Sequence, residues 1–123
     1  MTAYSAPGMM DIDDIVAREF IIDKADLYKK SRHREIVEAR QLAIYIRIEL
    51  QLMTTTQSAK LYNRDHCTAL WALKQVNALY KTDKVFRGKT DRVMKQVNAI
   101  IKEREFNDVR YELMSRHIKK VIN

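Results

Sequence analysis

Thr54-Thr55-Thr56-Gln57-Ser58-Ala59-Lys60-Leu61-Tyr62-Asn63-Arg64-Asp65-His66-Cys67-Thr68-Ala69-Leu70-Trp71-Ala72-Leu73 is the stretch that decides the fold. Thr54 to Gln57 has the pattern of a capping box: a threonine hydroxyl takes one of the first free amides, and a glutamine three residues on reaches back. The spacing predicts a short helix over 55–62, burying Ala59 and Leu61 or Tyr62. Asn63-Arg64 breaks that helix, and Asp65 is a carboxylate suited to cap the next one. Ala69, Leu70, Leu73, Val76 and Tyr80 recur at helical intervals to about Lys81. A helix of two turns, a tight polar turn and a longer helix make a helix-turn-helix.

The flanks agree. Upstream, Ile12, Ile15, Val16 and Phe20 predict a short amphipathic helix over 11–20, with Asp11, Asp13 and Asp14 in its first turn, where carboxylates favour the helix dipole. Ile21-Ile22 lead into a short turn near 23–28, and the basic run 29–34 reads as an exposed loop. From Glu35 to about Leu52, Ile36, Leu42, Ala43, Ile46 and Leu50 share a stripe, which marks a central helix. Downstream, Thr90 is the expected cap of a further helix with Val93, Val97 and Ile100 or Ile101 inside. Phe106, Val109, Leu113, Ile118 and Val121 continue the spacing, with Asn107-Asp108 as a place where it either divides or runs on. Residues 9–87 contain neither glycine nor proline, which excludes a turn-rich β sandwich or barrel. The expected architecture is all-α: a mobile tail at 1–10, a helix-turn-helix domain at 11–97 and a C-terminal helical extension at 98–123.

The 123 residues carry a formal charge of +7. Residues 1–27 hold six acids and two bases, leaving +11 on the remainder, and Lys29-Lys30-Ser31-Arg32-His33-Arg34 is the densest basic run. Such a balance favours a polyanionic partner. Cys67 is the only cysteine, so no intrachain disulfide forms and a reducing cytoplasm is expected. No apolar run approaches the ~20 residues of a membrane span, and the first ten residues lack the pattern of a secretory signal. Enzymatic readings fare poorly. His66 and Cys67 are neighbours whose side chains diverge by about 100° on a helix, so they do not form a nucleophile–base pair. The histidines at 33, 66 and 117 have no metal spacing with the one cysteine. Gly88-Lys89-Thr90 looks like the end of a phosphate loop, but Asp83 stands where that motif needs glycine, and Lys89-Thr90 reads as a helix start. No catalysis, cofactor, metal or nucleotide is expected.

Two separated motifs resemble a known family. Ile12–Ile15–Val16–Phe20, Asp26-Leu27, and Lys30–Arg32–Arg34–Ile36–Ala39-Arg40-Gln41–Ala43–Tyr45 follow the C-terminal DNA-binding domain of the bacterial replication initiator DnaA. So does Arg64-Asp65-His66-Cys67-Thr68-Ala69-Leu70-Trp71-Ala72, at the right separation, except that Asn63 stands for a Gly-Gly pair. The likeness spans about 11–97. It implies a compact helical domain binding an AT-rich duplex site of the TTATCCACA type, with Asp65, His66, Cys67 and Thr68 at base edges or nearby phosphates in the major groove. Arg32, with Lys30 beside it, falls on the minor-groove arginine of the basic loop. Arg40 and Gln41 match the phosphate-contacting pair, and Thr54, Thr55 and Thr56 stand where members approach DNA. Arg34, Arg47 and Arg64 complete the expected DNA-binding set. Cys67 departs from a threonine, Ile48 from a lysine and Glu38 from a basic residue.

Elementary chemistry supports the same picture. Recognition-helix N-termini bring short polar side chains to base edges and free amides to phosphates. A basic arm suits a narrow, electronegative minor groove. A chain of this length has no room beside this domain for the initiator's ATPase module, so a free-standing replication accessory or transcriptional regulator is expected, chromosomal or phage-encoded. The alternative is a helical protein–protein adaptor with only non-specific DNA binding, whose homodimer or partner interface would lie on 98–121. Duplex RNA is disfavoured, since its deep, narrow major groove does not admit a helix. Trp71 and the tyrosines at 45, 62 and 80 are expected in the core or partly buried.

Overall fold

The computed structural model describes the backbone of residues 7–122 and the side chains of residues 12–103. In chain order it has α1 (Pro7–Phe20), a 3-10 turn (Lys24–Tyr28), α2 (Arg34–Glu49), α3 (Thr55–Leu61), α4 (His66–Thr82) and α5 (Lys84–Ile122). No strand occurs among the described residues, so the expected all-α class holds.

Local chemistry explains each boundary. α1 begins at Pro7, ahead of the Asp11 start that the apolar spacing marks. Proline lacks the amide that a first helical residue cannot use, and its fixed φ suits that position. Met9 and Met10, expected in the tail, are therefore helical; residues 1–6 lie outside the described residues. α1 and α2 end before Ile21 (φ 56°) and Leu52 (φ 55°) respectively, two left-handed residues with exposed side chains. Left-handed geometry is costly for a β-branched residue, and at Ile21 it lets the chain reverse after Phe20.

α2 is the central helix. Ala39, Leu42, Ala43, Ile44 and Ile46 are sealed beneath its neighbours. α1 contributes Ile12, Ile15, Val16 and Phe20, α4 contributes Ala69, Ala72 and Val76, and α5 contributes Phe86, Val93 and Val97 to the same core. Alanines on both α2 and α4 let those two helices approach closely. Phe20 meets Phe86 edge to face at 6.3 Å, a favoured aromatic geometry that fastens the end of α1 to the start of α5.

The C-terminal helix corrects the expected start at Thr90. Asp83 is the effective cap: its Oδ1 accepts from the amides of Val85 (3.0 Å) and Phe86 (3.1 Å). Gly88-Lys89-Thr90 is consequently helix interior, with Thr90 buried and its Oγ1 without a hydrogen-bond partner among the described residues. The backbone runs unbroken through Asn107-Asp108. The apolar positions expected from Phe106 to Val121 lie outside the residues whose side chains are described.

Candidate nucleic-acid interface

The helix-turn-helix is built as its sequence specifies. Thr54 and Gln57 form the reciprocal capping box, with Gln57 N donating to Thr54 Oγ1 and Thr54 N donating to Gln57 Oε1, both at 3.0 Å. Ser58 Oγ donates to the Ile44 carbonyl and anchors α3 to α2. The turn reverses at Asn63, φ 58°, a left-handed conformation that asparagine tolerates better than most residues. Arg64 N donates to the Ala59 carbonyl (2.8 Å) and closes the turn.

Asp65 then caps α4. Its Oδ1 accepts from the Thr68 amide at 3.0 Å and the Thr68 hydroxyl at 3.1 Å, and these bonds hold its carboxyl below the usual carboxylate range. Asp65 and Thr68 are thus engaged with each other. His66 and Cys67 are exposed on the first turn, and among the described residues their side chains form no hydrogen bond or ion pair. One and two turns further on, Leu70, Trp71 and Lys74 lie exposed on the same outward face. Leu70 and Trp71 correct the inward placement expected for them: Trp71 is 54% exposed, because Ala69, Ala72 and Val76 already fill the contact with α2.

The basic loop between the 3-10 turn and α2 presents Lys30 and Arg32 to solvent. Its base is held from beneath. Arg40 Nε donates to the Leu27 carbonyl at 2.9 Å, and Arg40 Nη2 to those of Lys29 at 2.5 Å and Asp26 at 3.4 Å. Arg64 Nη2 donates to the same Lys29 carbonyl at 2.7 Å. Arg34, the last residue of the run, opens α2. It bridges Glu38 (2.7 Å) and Asp83 (3.0 Å), which join the start of α2 to the cap of α5. Those hydrogen bonds and charges, Glu38 first, raise its pKa further.

Two of the expected DNA-contacting arginines are corrected. Arg47 is fully buried, with Nη2 3.1 Å from Asp13 Oδ1 and Nε 3.1 Å from the Tyr62 hydroxyl. Burial disfavours its charge, but Tyr62 and Asp13 outweigh that and keep it ionised. Arg40 is 5% exposed; burial and then the charge of Arg64 lower its pKa. Both side chains brace the interior, the first because α1 brings a carboxylate to α2, the second because the loop's carbonyls need donors. Gln41 stays half-buried, Thr54 and Thr56 are exposed and Thr55 is half-buried beside the turn.

The sequence reading missed the polar cluster under the loop. Tyr62 donates to Asp13 Oδ1 at 2.5 Å and Tyr28 donates to Asp13 Oδ2. The two tyrosine rings stack at 5.3 Å between centroids. The available signal was a carboxylate between apolar residues of α1 and a guanidinium between Ile46 and Ile48 of α2. Among the described residues no His, Cys, Asp and Glu side chains gather as a metal site, and no described helix is long and apolar enough to cross a membrane.

Comparison with known proteins fits this geometry. Residues 9–76 match the family described as the bacterial dnaA protein helix-turn-helix. The chain is 31% identical over 99 residues to the chromosomal replication initiator protein DnaA of Bacteroides fragilis, covering 80% of this chain and 20% of that protein. It is 30% identical over 95 residues to the corresponding protein of Bacteroides thetaiotaomicron (76% and 19%) and 35% identical over 88 residues to that of Nautilia profundicola (71% and 20%). The chain therefore spans about a fifth of the length of the curated relatives it matches. The matched unit is a binding module and not a catalytic one. With its capped turn, outward-facing α4 and basic loop, this chain belongs to the bacterial DnaA helix-turn-helix family and is a double-stranded-DNA-binding domain.

Proposed function

We propose that the domain recognises a specific, AT-rich duplex site of the kind the DnaA resemblance implies, with α4 in the major groove and Arg32 in the minor groove. The observation that carries this reading is the state of the polar side chains. His66 and Cys67 on the first turn of α4, and Lys30 and Arg32 on the loop, are exposed and make no side-chain hydrogen bond or ion pair among the described residues, while the surrounding Asp65, Thr68, Arg40 and Arg64 are occupied in holding the frame. Free donors and acceptors on rigid supports suit base readout. Lys30, Arg34, Gln41 and the threonines 54–56 lie close enough in sequence to these elements to supply phosphate contacts, which fix register.

The biological setting follows from the relatives, whose name is chromosomal replication initiator protein. We assign this domain a role as a replication accessory or transcriptional regulator at the bacterial nucleoid, chromosomal or phage-encoded. The sequence of residues 98–121, with apolar positions at helical spacing, favours a second reading in which this segment joins two copies or a protein partner, so that two sites are bound together.

The test is titration into a fluorescent duplex carrying TTATCCACA and into a scrambled duplex, at two salt concentrations. Tighter binding to the site at both salts is expected, with loss of the difference in Arg32→Ala/His66→Ala. Equal, steeply salt-dependent binding would reduce the function to non-specific DNA association. Absence of binding at low salt would favour the protein adaptor.

A further inference from the structure

The basic loop and the helix-turn-helix are joined at one atom. The Lys29 carbonyl accepts from two guanidiniums, Arg40 Nη2 at 2.5 Å and Arg64 Nη2 at 2.7 Å. Arg40 comes from the central helix, Arg64 from the turn between α3 and α4. A second link runs beside the first, from Asn63 Nδ2 to the Tyr28 carbonyl at 3.5 Å. Beneath both, the Tyr28 ring stacks on Tyr62, the residue that ends α3. Neither Arg40 nor Arg64 has a carboxylate within ion-pair distance among the described residues, and burial together with the charge of Arg64 disfavours the charge of Arg40. Two like charges meeting at one carbonyl persist only where the surrounding fold holds them there. The residues on either side of this junction are the ones assigned to the two grooves: Lys30 and Arg32 follow Lys29, and His66 and Cys67 follow Arg64 after one cap residue.

We infer that Arg64 is a positioning residue: by holding the Lys29 carbonyl it locks the basic arm to the helix-turn-helix turn, so that Arg32 and the first turn of α4 meet the duplex as one preorganised unit. This rests on the two-groove reading above. Ordering the arm before binding removes an entropic cost that a free loop would meet at the moment of association. Arg64 thereby acts on the minor-groove contact without touching the minor groove.

The experiment has an arm without DNA and an arm with it. Arg64→Met keeps most of the aliphatic stem and removes one of two repelling charges, so the fold is retained; Arg64→Ala checks that the stem is not responsible. In the free protein, backbone 15N order parameters of Lys30, Ser31 and Arg32 are expected to fall from about 0.85 to below about 0.6 in both variants, with the amides of α4 unchanged. With the TTATCCACA duplex, Arg64→Met is expected to weaken binding about tenfold in the parent and less than twofold in an Arg32→Ala background. Unchanged loop order, or an Arg64 effect that multiplies fully with that of Arg32→Ala, overturns the inference and makes Arg64 an independent phosphate contact. Loop loosening in a protein that binds no duplex would retain the lock and remove the two-groove reading, so the two ideas fail separately.

Discussion

Arg47 Nη2 and Asp13 Oδ1 stand 3.1 Å apart with their side chains 1% and 3% exposed, a charge pair sealed between α2 and α1. The same carboxylate takes the hydroxyls of Tyr28 and Tyr62, so four side chains from α1, the 3-10 turn, α2 and the end of α3 depend on one another. Breaking such a pair from one side leaves an uncompensated buried charge and costs about 3–5 kcal/mol. Asp13→Leu is therefore expected to lower the thermal midpoint by at least about 10 °C, given roughly 4–8 °C per kcal/mol for a domain near this size. Arg47→Met should do the same. Because an apolar pair can replace a buried ion pair at little cost, Asp13→Leu/Arg47→Met is expected to be less destabilised than the two single changes added together. Urea unfolding of the three variants checks this, and strict additivity would show that the pair is not coupled.

The two tyrosines of that cluster set an alkaline limit. Burial, then the Asp13 carboxylate, raise the Tyr28 and Tyr62 phenols well above their ordinary value of 10.0. A group with a raised folded pKa contributes stability that is complete below the unfolded value and is lost as pH rises toward the folded value. Stability is thus expected to be flat from neutral pH to about pH 10 on this account. Above that, the sealed Tyr62 removes at most about 1.4 kcal/mol per pH unit, and the half-buried Tyr28 less. Urea midpoints between pH 8 and pH 11.5 measure the slope, and Tyr62→Phe is expected to flatten it. A Tyr62→Phe protein that loses stability as steeply as the parent would place the alkaline sensitivity elsewhere.

Much of this was legible in the residues because short-range chemistry carried it. The capping box at Thr54–Gln57, the break at Asn63 and the cap at Asp65 are each settled by neighbours within four positions, and so were read correctly. The start of α5 was misread because threonine at 90 and aspartate at 83 are both plausible caps; what decides between them is that Phe86 must reach Phe20, a partner 66 positions away. Arg40 and Arg47 carry the same side chain as Arg32, and their burial depends on what α1 and the loop bring to them. Trp71 was expected in the core or partly buried, yet the alanines at 69 and 72 already fill the contact with α2 and leave it exposed. A side chain's chemistry is written locally, whereas whether it is free to meet a ligand depends on long-range packing.

The core extends past the family match, which closes at residue 76. Phe86 is 2% exposed and lies on Phe20, so Phe86→Ala is expected to cost about 3–5 kcal/mol, the range for truncating a buried aromatic. Four residues on, Thr90 offers the opposite sign. Its hydroxyl is buried and has no hydrogen-bond partner among the described residues, and removing such a group while keeping the shape is neutral or favourable. Thr90→Val should raise the stability by about 1 kcal/mol, read as a higher urea midpoint at unchanged m-value. A loss of similar size would mean that the hydroxyl has a partner in solution, a water among the candidates.

Trp71 supplies a direct view of which face meets DNA, since it is the only tryptophan. It lies four residues from Cys67 and three from Lys74, exposed on the same outward face of α4. Residues three and four apart on a helix are surface neighbours, so a duplex seated on His66 and Cys67 comes against the indole. Displacement of water and contact with sugar or base are then expected to shift its emission to the blue and quench it. Half-saturation should match that obtained by anisotropy of a labelled TTATCCACA duplex, and Trp71→Phe removes the signal while serving as the binding control. The scrambled duplex, at a salt concentration where anisotropy detects no complex, should leave the emission unchanged. If anisotropy rises on the specific duplex while Trp71 emission stays constant, the protein binds through a face other than α4, and the recognition-helix reading falls with it.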